Sequence, residues 1–132
     1  MPGLKDTGPV KLTRGFQMSK LFRDRTLPAR CPFCRAEVPA PQEVENGPWY
    51  DFAGAFCACG AAFAHDPTAR NGGAVLLQAM LMACEGDMDL VLSLAPEVDY
   101  EEGWVERYNG LTHRVEPNAF GTLYFIRRRQ GG

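Results

Sequence analysis

Arg30–Val38 reads RCPFCRAEV, and the fold turns on what its two cysteines are for. A Cys-x-x-Cys run is either a redox dithiol or half of a four-thiolate metal site. A dithiol needs an apolar strand leading into the first cysteine. It also needs a helix starting there, whose N-terminus lowers the thiol pKa. Here the lead-in, RDRTLPAR (Arg23–Arg30), is polar and broken by proline. The exit, RAEVPAPQEV (Arg35–Val44), places Pro39 and Pro41 where the helix would continue. Proline removes a backbone donor and restricts the residue before it, so no helix follows. The redox reading fails on its flanks.

A second close pair supplies the other reading. Cys31-x2-Cys34 is followed, after 22 intervening residues, by Cys57-x-Cys59. Two pairs on separate hairpin turns can converge into a tetrahedral four-sulfur site with metal–sulfur distances of ~2.3 Å. Gly60 suits a turn whose backbone N–H groups point at sulfur, because it accepts positive φ. Pro32 stiffens the first turn, and the flanking Arg30 and Arg35 can offset the net charge of a divalent ion held by four thiolates.

CPFC and FCACGAAF resemble the first and second knuckles of the zinc ribbons, over about Ala29–Asp66. The resemblance implies a small zinc-bound β-hairpin with Cys31, Cys34, Cys57 and Cys59 as ligands. Most ribbons have Cys-x-x-Cys at the second knuckle, so the Cys-x-Cys backbone here must differ. If the chain does not bend at that point, His65 is the reserve ligand of a Cys3His site. Zinc is expected before rubredoxin-like iron, and a closed four-thiolate zinc is structural. Zinc ribbons serve many functions, so the resemblance identifies an element and not an activity.

The 132 residues suit one domain, and 45% apolar with 11% aromatic content excludes wholesale disorder. No run approaches the ~18–20 apolar residues of a membrane span, and the first fifteen lack a signal-peptide core. A cytoplasmic protein is expected, in which thiols stay reduced and read as ligands before disulfides. The fifth, Cys84, lies on an apolar helical face and reads as a buried structural thiol.

The net charge of −2 hides a strong segregation. Residues 1–35 carry eight Lys/Arg against two Asp. Residues 36–106 carry only Arg70 against thirteen Asp/Glu, and residues 107–132 five Arg against Glu116. The basic ends either cover the acidic middle or form a face for nucleic acid.

The expected fold class is α+β. Residues 1–28 form a basic arm with a short helix near Phe16–Asp24, and residues 29–66 the zinc-ribbon β-hairpin module. Residues 67–132 supply two buried helices and a C-terminal antiparallel β-meander, packed with the ribbon as one unit. ENGPW (Glu45–Trp49) carries turn chemistry, and Trp49–Asp66 reads as strand, turn and strand. Apolar spacing predicts a helix over Gly73–Glu85, stopped at Glu85-Gly86, and a second from an Asp87 cap to Leu94. Asn109-Gly110 predicts a two-residue type I′ hairpin, against a competing helix over Asp99–Tyr108. Thr122–Arg129 is the closing strand by β-propensity.

No phosphate loop, nucleophile elbow or Ser/His/Asp arrangement is visible. His113 reads as a surface or cross-strand residue. Asp99, Glu101, Glu102 and Glu106 read as a solvated acidic stretch. Trp49, Tyr50 and Phe52 read as packing residues. The closing strand runs into Arg127, Arg128 and Arg129, and Lys20, Arg23 and Arg25 can extend that basic edge toward phosphates. The expectation is a non-catalytic, zinc-stabilised interaction module for nucleic acid or a protein partner. Its rival is a redox protein or small enzyme using the cysteine cluster, with iron or an open metal position.

Overall fold

The computed structural model describes residues 26–44 and 50–129. The expected helix at Phe16–Asp24, the ENGPW turn, and Lys20, Arg23 and Arg25 lie outside those residues. Among the described residues the molecule is a mixed α+β structure with six strands and two helices. In chain order these are β1 (Leu27–Pro28), β2 (Gly54–Phe56), β3 (Ala62–Asp66), α1 (Gly72–Ala83), α2 (Met88–Ser93), β4 (Tyr100–Asn109), β5 (Arg114–Val115) and β6 (Gly121–Arg128). The strands form one antiparallel sheet in the order β1-β5-β4-β6-β3-β2.

After β1, residues 29–42 cross the sheet from edge to edge. They leave β1 through a bridge of Arg30 with Glu37, then pair Gln42 with Gly54 in β2. The Gln42 N–H donates to the Gly54 carbonyl at 2.9 Å and the Gly54 N–H returns to Gln42 at 2.7 Å. This strap closes over one face of a curled sheet. Beneath it lies a core of Ala29, Cys31, Val38, Cys57, Ala61, Phe63, Tyr108, Leu123 and Phe125. Phe63 and Phe125 stack at 4.7 Å between ring centroids.

The helices cover a second core, in which Ala79, Leu81, Cys84 and Val91 meet Tyr100 and Ile126. Helix α1 starts after a turn organised by Asp66, which is fully buried and accepts the backbone N–H groups of Thr68, Ala69 and Asn71. It ends at Glu85 and Gly86, both at positive φ (56° and 83°). The left-handed turn stops a helix there because it redirects the chain out of the helical ladder. Asp87 then caps α2, accepting the Leu90 N–H at 3.1 Å. Of the two helices expected to be buried, only α1 largely is. In α2 Val91 is buried, while Leu92 is 76% exposed.

The competing helix over Asp99–Tyr108 does not form, because Tyr100–Asn109 are a strand that pairs with β6 along most of its length. Two expectations for the C-terminal third need correction. The hairpin that does form is not a two-residue turn at Asn109-Gly110. Asn109 pairs with Arg114, leaving a four-residue loop whose left-handed position is His113, at φ 58°. Gly110 serves a different need: a Cβ there would stand 2.9 Å from the His65 ring. Nor do the last three strands form a simple meander. The free edge of the short β5 is taken by β1, so β6 returns beside β4.

Candidate metal centre

The two knuckles are built by similar backbone turns from unlike sequences. In the first, the Cys31 N–H donates to the Ala36 carbonyl and the Arg35 N–H to the Cys31 carbonyl, each at 2.9 Å. Arg35 takes the left-handed position, at φ 69°, and the Phe33 N–H points at Cys31 Sγ at 3.4 Å. In the second, the Cys57 N–H donates to Ala61 and the Gly60 N–H to Cys57, each at 2.8 Å, with Gly60 at φ 97°. The chain therefore bends at Cys-x-Cys.

That bend brings all four sulfurs together. Cys31 and Cys59 stand 3.7 Å apart, Cys34 and Cys57 3.6 Å, and every pair lies within 4.8 Å. A tetrahedron with metal–sulfur bonds of ~2.3 Å has edges of ~3.8 Å, so two edges already have the length a metal requires. The four thiols are unbridged, and the set is compatible with a zinc knuckle. His65 is not in this cluster. Its ring lies against Tyr108 at 5.0 Å between centroids and beside Gly110 and Gly121. Cys84 is also apart, buried with α1 in the second core.

Cys31 is fully buried and Cys57 nearly so, whereas Cys34 is exposed. Burial pushes the Cys31 thiol up to about 12, despite backbone N–H groups of Cys34 and Phe33 that favour the thiolate. Burial also raises Cys57. At Cys59 burial acts in the same sense, but the Ala61 N–H and the neighbouring thiols outweigh it and bring the group down to about 7. A metal-free set of this kind shares its protons unequally, and an incoming cation must displace them.

The surroundings contain one glycine that the sequence did not single out, beside residues that it did. Gly103, in the middle of β4, lets the first knuckle approach: a Cβ there would lie 2.7 Å from Pro32 Cγ and 3.3 Å from the Phe33 ring. A glycine interrupting a strand is the signal that was available. His113 joins the hairpin to the strap. Its Nε2 donates to the Val38 carbonyl at 2.8 Å, which leaves Nδ1 to accept the Tyr108 hydroxyl at 2.6 Å. Arg30 faces Glu37 at 3.6 Å and the Arg35 carbonyl at 3.1 Å. Arg127 lines a cleft of about 480 Å³ with Cys59 and Glu101, and Arg128 and Arg129 line it beside them.

No family model, curated protein or solved structure matches the chain. The likeness to zinc ribbons therefore rests on the knuckles themselves. Among the described residues no helix is long and apolar enough to cross a membrane.

Proposed function

We propose that Cys31, Cys34, Cys57 and Cys59 hold one zinc ion, and that the protein is a non-catalytic module for nucleic acid. The observation that carries the metal reading is the pair of cross-knuckle sulfur separations, 3.7 and 3.6 Å. Four thiolates leave zinc no open position, so the ion would stabilise the strap and not activate a substrate. Arg128 and Arg129 support the nucleic-acid reading, since both are exposed beside the second knuckle. A protein partner is the second reading. It is favoured by Leu111 and Phe120, 97% and 79% exposed, which both line a groove of about 570 Å³.

Native mass spectrometry tests the metal: one zinc per chain and a colourless protein are expected. A red, iron-loaded protein, or a metal with an exchangeable water, would support the redox or enzymatic alternative and overturn this reading. Binding to single- and double-stranded oligonucleotides across a salt series tests the ligand. Arg128→Ala with Arg129→Ala should weaken binding and lower the salt slope by about 2. An unchanged slope would turn attention to the groove and a protein partner.

A further inference from the structure

We infer that Arg127 is the outer cation of the metal centre, a positioning residue that joins the two knuckles and governs how tightly their thiolates keep the ion. This rests on the metal reading above. Arg127 stands in β6 directly opposite Glu101 in β4. Its Nε and Nη2 both donate to Glu101 Oε2, at 2.9 and 2.7 Å. The guanidinium carbon lies 4.9 Å from the centre of the Phe33 ring, and Phe33 sits between the two cysteines of the first knuckle. The same guanidinium faces Cys59, in the second knuckle, across the cleft they share. One side chain thus stacks on the first knuckle, faces the second, and is anchored on the two central strands.

Charge explains why a cation belongs there. A divalent ion with four thiolates carries −2, and outer-shell donors and charges decide how well such a centre is retained. The sequence offers Arg30 and Arg35 for this task. The structure instead directs Arg30 to Glu37 and the Arg35 carbonyl, and leaves Arg35 exposed. Arg127 is only 33% exposed in its side chain, so its field is screened less than that of a free surface arginine. Glu101 fixes the plane of the guanidinium, which lets it lie on Phe33 while presenting charge toward sulfur. Lysine would keep the charge but has neither the paired donors nor the flat face. Arg127 is therefore turned inward, and phosphate contacts fall to Arg128 and Arg129.

The test uses the full chain loaded with Zn²⁺ or Co²⁺, a competing chelator, and the variants Arg127→Met, Arg127→Lys, Glu101→Gln and Arg70→Met, the last at an exposed arginine that does not line the cleft. Arg127→Met should weaken metal retention by about 10–100-fold, with Arg127→Lys intermediate and Arg70→Met unchanged. The thiolate-to-cobalt charge-transfer bands should move in Arg127→Met and stay in place in Arg70→Met, a response that loss of an arginine away from the centre would not produce. If Arg127→Met does not fold, an intermediate loss in Arg127→Lys is still required. Wild-type retention and spectra in the Arg127 and Glu101 variants would overturn the inference alone. A wild-type chain without a four-thiolate cobalt spectrum would overturn the metal reading itself, and that result precedes any substitution.

Discussion

At the scale of single residues, close approach dominates. Gly103 has no room for a methyl group, because Pro32 and Phe33 of the first knuckle occupy that space. Gly103→Ala should push the knuckle away from β4 and destabilise the fold by about 1–3 kcal/mol, with faster metal loss to a chelator. Urea unfolding of the loaded protein measures the first effect and chelator kinetics the second. His65 offers a pH test. Its buried Nε2 has no partner among the described residues, and burial holds its pKa below the ordinary 6.5, although Asp66 acts in the opposite sense. A histidine disfavoured as a cation contributes stability that is present above about 6.5 and declines as the pH falls below it. Proton NMR of the His65 ring in the loaded protein should give a midpoint under 6.5. A midpoint at or above that value would mean that the ring is not enclosed as described.

At the scale of elements, a few side chains replace backbone pairing. Gln78, fully buried in α1, accepts the Phe52 N–H at 2.9 Å and donates to the Phe52 carbonyl at 2.7 Å. It holds the chain before β2 against the helix as a neighbouring strand would. Gln78→Leu should cost about 2 kcal/mol by leaving both Phe52 groups unpaired, read as a lower urea midpoint at unchanged slope. Much of this level was legible in the sequence. Glu85-Gly86 and Asp87 mark the end of one helix and the start of the next because their preferences are local. The four cysteines announce themselves by spacing. Asn109-Gly110 misleads because the glycine answers to His65, a residue 45 positions earlier, and not to its own turn. Arg127 looks like part of a solvated basic run because its partners, Glu101 and Phe33, are distant in sequence.

At the scale of the molecule, the strap determines what metal removal does. The hydrogen bonds of Gln42 with Gly54 and of His113 with Val38 tie it down, and the four sulfurs would be its central fastening with the proposed ion in place. Chelation should lower the melting temperature by about 10 °C for a loss of about 3 kcal/mol, with helix content retained, because α1 packs on the opposite face. Thermal denaturation followed by far-UV circular dichroism, with and without chelator, checks both points. The sheet order was not legible, since it depends on contacts such as His113 with Val38 that no local pattern encodes.

The edge-to-edge path of that strap has a further consequence, for solubility. An antiparallel sheet ordinarily ends in two strands with unpaired hydrogen-bonding groups, each a template for another chain. Here the two outermost strands are continuous with opposite ends of the same strap, and one of them is paired by it through Gln42. Metal loss would loosen both margins together. The metal-free protein should therefore self-associate through strand pairing well before its helices melt.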